Sequence, residues 1–502
     1  SATMTDPIRR LSDGWATGIA VLSGILLTLG FAPFGLYPLI PVSLAALWLL
    51  WDDRRPVVAA RIGFAWGVGA FLAGTYWLYI SIHIFGKAPA PLAVFLMLAL
   101  VAIMAAYTGL TGYLVRRIDA AGALGVLLIM PGIWVITEWL RGWLFSGFPW
   151  LSLGYGLIDS PLSGFAPVLG VHGVSLAAGL LTGGLVLLVA GASYQRLLAA
   201  TLITVLLFGG QRLAAVQWTS SEDRQLRVAL VQGAVPQDRK WLPSQLEPTK
   251  QLYLELTRSH WDRDLIVWPE AAIPAILHEE FDFLETVQEE ARSTATSLVL
   301  GMLERDPLDG RYFNTLIALG EQQAIYRKRH LVPFGEYFPV PEFVREWMRL
   351  LSLPYSDITP GPRAQSPLPL AGELAAPTIC YEDAFGAEQL GFLPEAGLLL
   401  NVSNDAWFGN SLAPHQHLQI ARMRALESGR FLLRATNTGI SAVIGPNGSV
   451  LARSPQFETH VLTAEIHPRA GSTPYVRMGY AALVVLAVLL LLVGSCTARR
   501  QT

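Results

Sequence analysis

The stretch LAAPTICYEDAFG, residues 374–386, decides the fold class, because an apolar, strand-compatible run ends on Cys380 and gives way at once to acidic and turn residues. In α/β sheets reactive groups collect just past the carboxyl ends of strands, where loops hold side chains over a rigid scaffold. Comparable runs surround it: LRVALVQGAVP (226–236), DLIVWPE (264–270), TSLVLGML (296–303), FNTLIALG (313–320), GLLLNVSN (397–404), FLLRATNTG (431–439), ISAVIGPNGSVLAR (440–453) and HVLTAEI (460–466). GPNGS, inside the last but one, reads as a hairpin turn. Amphipathic patterns at 244–258, 281–294 and 414–428 alternate with the strands, so helices are expected to cover the sheets. Two sheets between helix layers, an αββα sandwich, is the expected arrangement for 221–470, although periodicity alone does not separate it from one open sheet.

The rest of the chain is of another kind. Of 502 residues 52% are apolar and only 15% charged, with a mean hydropathy of +0.43, too apolar for a soluble protein of this length. A hydrocarbon core of about 30 Å needs about 20 apolar residues per helix. Seven such stretches precede the soluble region, near 15–33, 35–51, 60–83, 90–115, 121–141, 163–191 and 196–213, and an eighth runs from Met478 to Val493. The expectation is an eight-helix membrane bundle. Residues 1–220 hold seven helices, 221–470 the α/β domain, and 471–502 the last helix with a short tail.

Basic residues give the orientation, since Lys and Arg concentrate in cytoplasmic loops. Arg9-Arg10, Arg54-Arg55, Arg116-Arg117, Arg196 and Arg499-Arg500 share one side if the spans alternate, while FAPFGLYP and HIFGKAPAP opposite them are poor in basic residues. Both termini are therefore expected in the cytoplasm and 221–470 outside, which in a bacterial inner membrane is the periplasm. A formal net charge of −2 offers no broad basic face, which argues against nucleic acid. Two cysteines, Cys380 and Cys496, are too few for a disulfide framework or a thiolate metal cluster. Ser1-Ala2-Thr3 ahead of Met4 reads as a foreign extension, and LVGSC at the far end of the chain lies in the wrong place for a lipoprotein processing site.

Three strand-end segments carry an acid, an amine and a thiol. Glu270 ends LIVWPE, Lys328 lies in IYRKRHLVPFGEYFP, and Cys380 ends APTIC. A carboxylate takes a thiol proton, an ammonium stabilises a thiolate and a tetrahedral oxyanion, and the thiolate attacks a carbonyl. A helix beginning near Tyr381 would lower the thiol pKa and offer a second oxyanion donor. Taken singly, a strand-end Cys is most often a small buried apolar residue, a strand-end Glu a solvated cap, and Lys328 among Arg327, Arg329 and His330 part of a basic face. Their joint appearance at successive strand ends raises them to a site.

WPEAAIP, YRKRHLVPFGEYFP and CYEDAFG, in that order, resemble the Glu-Lys-Cys motifs of the nitrilase superfamily. With seven spans before and one after, the chain is similar to the bacterial apolipoprotein N-acyltransferase family; QGAVPQDRKW, FNTLIALG, NVSNDAWFG, RATNTGISAVIGPNG and SGFPW extend the likeness. The resemblance implies Glu270 as general base, Lys328 as oxyanion-stabilising ammonium and Cys380 as nucleophile, with Glu336, Glu382 and Tyr381 in support. It also implies substrate contacts from Trp241, Asn314, Phe334, Phe338, Asn404 and Trp407. No cofactor or metal is implied. The implied reaction moves a fatty acyl chain from a glycerophospholipid, through a Cys380 thioester, to the α-amine of a diacylglyceryl-cysteine at an apolipoprotein N-terminus.

Such a membrane-bound reaction has to keep water out. In segment 333–353, Phe343, Val344, Trp347, Met348, Leu350 and Leu351 recur at helical spacing and suit a lid at the outer leaflet. Glu138 and Arg141 stand three apart on one helix face and are expected to pair. An isolated charge at mid-bilayer costs roughly 2.5–3.5 kcal/mol, so they belong near the outer surface or in a cavity. Followed by RGWLFSGFPW with Trp150, and with His83 of SIHIFG on the third span, they suggest a lipid-entry floor. A membrane-tethered amidase acting on a small soluble amide would carry the same three residues, but a tether needs one span. A transporter with an inactive nitrilase-like domain would usually show both intramembrane charges and internal repeats, whereas the spans here carry few such charges and no obvious repeat.

Overall fold

The computed structural model describes residues 11–118, 122–333, 335–337 and 358–499, with side chains through 496. It divides into two compact units: Ser1–Tyr79, Ala90–Gln217 and Arg477–Thr502 form one, and Ile80–Pro89 with Trp218–Val476 the other.

The first unit is helical. Its main helices are α1 (Asp13–Leu27), α2 (Leu39–Trp51), α3 (Pro56–Thr75), α4 (Ala90–Ile118), α5 (Met130–Arg141), α6 (Ala166–Ala190) and α7 (Ser193–Ala214). Six helical stretches are long and apolar enough to cross a membrane: Asp13–Gly30, Pro56–Thr75, Ala90–Ile118, Gly122–Arg141, Pro161–Ala190 and Ser193–Ala214. The second expected span, α2, has only 13 helical residues, and the last apolar helix, Ala481–Cys496, is also shorter. At 1.5 Å per residue, α2 reaches roughly 20 Å. Among the described residues eight apolar helices are thus present, six of them of full length. The expected third span, 60–83, ends early: α3 stops at Thr75, and residues 80–89, wound partly as a π-helix, belong to the second unit. His83 is therefore not part of a membrane helix.

The second unit contains the expected strands. In chain order they are β1 (Thr219–Ser221), β2 (Leu226–Gln232), β3 (Leu265–Val267), β4 (Ser297–Arg305), β5 (Tyr312–Leu319), β6 (Ala324–Arg327) and β7 (Leu368–Leu370). There follow β8 (Glu373–Ile379), β9 (Leu398–Ser403), β10 (Leu432–Thr436), β11 (Ala442–Ile444), β12 (Val450–Arg453), β13 (His460–Ile466) and β14 (Arg469–Gly471). Two six-stranded sheets result, ordered β13-β2-β3-β4-β5-β6 and β12-β11-β10-β9-β8-β7. Their centres are parallel, β2 to β3 to β4 in one and β8 to β9 to β10 in the other, and antiparallel strands finish the edges. Fully buried strands read as continuous apolar runs, as β3, LIV, does.

Helices α8 (Gln237–Lys240), α9 (Pro243–Arg258), α10 (Phe281–Ser293) and α11 (Ala413–Ser428) complete this unit's main helical elements. Tyr253 and Leu254 of α9 and Leu284 and Val287 of α10 pack with Ile266, Trp268, Leu298 and Leu300, forming one helix layer on the first sheet. The sheets meet at Gln232, whose Oε1 accepts from Ser441 Oγ at 2.7 Å and Ser454 Oγ at 2.8 Å.

Below the carboxyl ends of β8, β9 and β10 lies a buried polar network that no apolar pattern announces. His417 of α11 bridges Asp405 (Nδ1, 2.9 Å) and Asp383 (Nε2, 2.9 Å), and Arg434 of β10 reaches the same carboxylates at 2.8 and 3.3 Å. All four side chains are at most 1% exposed. Burial and the Arg434 charge press on the His417 imidazolium, but the Asp383 and Asp405 carboxylates outweigh them and raise its pKa to about 9. Because the folded value lies above the unfolded one, the stability this proton supplies is complete below about pH 6.5 and is lost as pH rises through about 9. The expected outcome is a thermal unfolding temperature of the detergent-solubilised protein that falls between pH 7 and 9 more steeply than in His417→Gln. Parallel curves would contradict it.

Candidate active site

Glu270 sits three residues past β3. The next residue, Ala271, has φ +44°, so the chain turns sharply after the acid. Gly301 of β4 lies underneath, where a Cβ would stand 2.5 Å from Ala271 N and 2.8 Å from Glu270 Cα, and only glycine permits that approach. Both carboxylate oxygens are held: Oε1 accepts from Asn314 Nδ2 at 2.8 Å, and Oε2 from the Asn404 backbone N–H at 2.8 Å. Asn404 is fixed in turn by Gln237 and Asn437 at 2.8 and 3.1 Å.

Lys328 follows β6 and is 1% exposed. Its Nζ lies 2.8 Å from Glu336 Oε1 and 3.6 Å from Glu270 Oε1. Burial disfavours the ammonium, but Glu336, Glu270 and the nearby Cys380 outweigh it and push the Lys328 pKa up. Asn314 Nδ2 also reaches Glu336 Oε1, at 3.2 Å, while its own buried Oδ1 has no hydrogen-bond partner among the described residues.

Cys380 opens a short 3-10 turn, Cys380–Ala384, with φ +54°, a left-handed conformation costing a non-glycine residue about 1 kcal/mol or more. Its carbonyl is tied by Asn401 Nδ2 and lies 3.3 Å from His417 Nε2, which joins the nucleophile turn to the buried network. The expected lowering of the thiol pKa is overturned. Burial and the Glu270 charge push it well above the usual thiol value, Asp405 adds to the rise, and Lys328 and a hydrogen bond from Ser403 only partly oppose it. The turn is too short and too deeply buried for its amides to offset that desolvation. The resting group is a thiol, and an adjacent base has to take its proton.

Glu382 feels the Lys328 charge, which works against the rise that burial imposes on its carboxyl, and it also ties backbone segments together. It accepts from the amides of Ile379 (2.7 Å), Arg329 (2.6 Å) and His330 (3.1 Å) and from Tyr326 Oη, binding β8 to the loop that carries Lys328. The Tyr381 ring is buried against Phe385, with centroids 5.0 Å apart. Trp241 and Trp407 are roughly half-exposed. Ser81 of the 80–89 segment donates to the Trp407 carbonyl at 2.8 Å, and Phe85 packs on the Trp407 ring. His83 Nδ1 lies 2.8 Å from Ala88 O in that segment.

Glu138, Arg141 and Trp150 lie in the helical unit. Glu138 is held by His172 Nδ1 (3.0 Å) and the Leu153 amide (3.0 Å), and Arg141 donates to the Phe148 and Trp150 carbonyls. Glu138 and Arg141, with Phe71, Tyr107 and Trp134, line a cavity within that unit. His172, absent from the sequence-based candidates, bonds the buried Glu138 alongside the Leu153 amide. Phe334, Phe338, Trp347 and nearly all of the expected lid lie outside the described residues.

Gln237, Asn437 and His417 were not singled out either. The first two lie inside quoted motifs, so the signal was present; His417 carried none, because its partners are far off in sequence.

Residues 23–184 match the family model for the apolipoprotein N-acyltransferase N-terminal domain, and residues 227–475 the model for carbon-nitrogen hydrolases. An apolipoprotein N-acyltransferase of Methylococcus capsulatus is 43% identical over 490 residues, covering 96% of this chain and 96% of the relative. The enzyme so named in Nitrosomonas europaea is 44% identical over 504 residues, covering 98% and 99%. That of Photobacterium profundum is 40% identical over 496 residues, covering 96% and 95%. With two structural units that match the two family models in turn, and likeness running nearly end to end, the chain belongs to the apolipoprotein N-acyltransferase family.

Proposed function

We propose that this protein transfers a fatty acyl chain from a glycerophospholipid to the N-terminal α-amine of a diacylglyceryl apolipoprotein, with Cys380 as the temporary carrier. The observation that carries this reading is the convergence, at three strand ends, of a buried thiol, a carboxylate clamped by two amide N–H groups, and a buried ammonium held by two carboxylates.

In the first half, Glu270 takes the Cys380 proton as Sγ attacks the ester carbonyl carbon, and Lys328 steadies the oxyanion. The C–O bond then breaks, the glycerol oxygen takes the proton from Glu270, and lysophospholipid leaves an acyl thioester behind. In the second half, the acceptor amine attacks the thioester carbonyl and gives a proton to Glu270. The C–S bond breaks, and the sulfur recovers that proton. Each half returns the site to its starting protonation, and ping-pong kinetics follow. Family membership favours this reading over a tethered amidase.

The topology proposed is eight crossings with both termini cytoplasmic, the α/β domain in the periplasm and the expected lid, with Phe334, Phe338 and Trp347, against the lipid. Trp241 and Trp407 are assigned to substrate contact on their exposed aromatic surface, and Asn314 and Asn404 on their contacts with Glu270. Glu138, Arg141, Trp150 and His83 are assigned to lipid contact.

Two outcomes are expected. With phospholipid and no acceptor, purified protein releases about one equivalent of lysophospholipid and stops, and Cys380→Ala lowers the rate on the order of 10⁴-fold or more. Steady release without acceptor, or full release by Cys380→Ala, would contradict the carrier role. Alkaline phosphatase fused within 221–470 is expected to be active and fused at the C-terminus inactive, and the reverse pattern would overturn the topology.

A further inference from the structure

Lys240 is a buried cation that the acyl-transfer steps above leave unused. It closes α8 and is 1% exposed, and its Nζ donates to the main-chain carbonyl of Glu270 at 3.3 Å. Among the described residues that oxygen is its hydrogen-bond partner, and it is a carbonyl, not a carboxylate. An ammonium taken out of water needs compensating charge. Burial presses the Lys240 pKa down to about 8, and the charge that presses back is that of Glu270. The Lys240 ammonium and the Glu270 carboxylate belong to one hydrogen-bonded turn, and opposite charges held that close attract.

We propose that Lys240 is a positioning residue that holds the Glu270 turn through its hydrogen bond and, through its charge, drives Glu270 to release the proton taken from Cys380. The hydrogen bond falls where the chain needs holding, since Ala271 next to it is left-handed. The charge acts in the proton cycle. When Sγ hands its proton to Glu270, Lys240 loses the negative charge it faces, and that loss is reversed once the proton passes to the departing glycerol oxygen. Among the described residues the other charged or titratable groups about Glu270 include Lys328 at 3.6 Å, Glu336 beyond Lys328 and Asn314, and Cys380 with Asp405 behind it; Asp238 and Arg239 share the helix of Lys240. Lys328 serves the oxyanion, whereas Lys240 bonds the base's own main chain.

This rests on the acyl-thioester reading, and the test separates the two. Lysophospholipid release by the full-length protein is followed against pH for wild type, Lys240→Gln, which keeps a donor and drops the charge, and Lys240→Arg, which keeps the charge. The acidic limb is expected to move upward by about one pH unit in Lys240→Gln and to stay in place in Lys240→Arg. Alkylation of Cys380 by iodoacetamide over the same range supplies a second readout that needs no acyl transfer, and the same displacement is expected there. A Lys240→Gln limb coincident with wild type in both assays overturns the proposal, even where its amplitude is lower throughout, because a purely structural role lowers amplitude alone. Wild-type protein that releases no lysophospholipid at any pH contradicts the acyl-transfer reading instead, and alkylation then decides on Lys240.

Discussion

The Lys328 ammonium, buried to 1% exposure, is the constraint around which the site is arranged. A charge taken from water costs several kcal/mol unless it is closely paired, and stripping one partner from a buried pair costs about 3–5 kcal/mol. The neighbouring groups answer that demand. Glu336 bonds it directly, Glu270 stands at 3.6 Å, and Asn314 spans both acids so that neither carboxylate is left with its lone pairs idle. Glu382 gathers the amides that fix the Lys328 loop to the nucleophile's strand. The ammonium that is to steady an oxyanion is thus in place before any substrate arrives.

The thiol is treated in the opposite way. Burial and acidic neighbours keep Cys380 protonated, and its left-handed backbone is held from below by Asn401 and by the turn's link to His417 and Arg434. A thiol made reluctant to ionise resists adventitious alkylation and oxidation, which follow thiolate character. It is activated only where a base stands ready, which places the weight of the proposed chemistry on Glu270 and on whatever governs its proton.

Much of this was legible in the sequence. Each of the nine apolar β-runs became a strand, and the patterns at 244–258, 281–294 and 414–428 became helices α9, α10 and α11, because burial on both faces leaves continuous apolar runs and burial on one leaves a helical stripe. The edge strands β6 and β7 escaped, as did β1 and β14, which pair with each other apart from the two large sheets. Strand ends gave Glu270, Lys328 and Cys380. The partners that tune them did not stand out, since Asp383, Asp405, His417 and Arg434 meet only once two strands and a helix have packed. The 80–89 segment misled because its isoleucines read as more membrane span, whereas a π-helical turn carries them onto the Trp407 loop.

The most direct test of the account is peptide mass spectrometry of the purified protein after brief exposure to phospholipid with a labelled acyl chain and no acceptor. The account predicts one labelled acyl group on the Cys380 peptide, lost on treatment with hydroxylamine and discharged by a diacylglyceryl-cysteine peptide as the amide product appears. Amide product accumulating while the Cys380 peptide stays unmodified at every time point would contradict it.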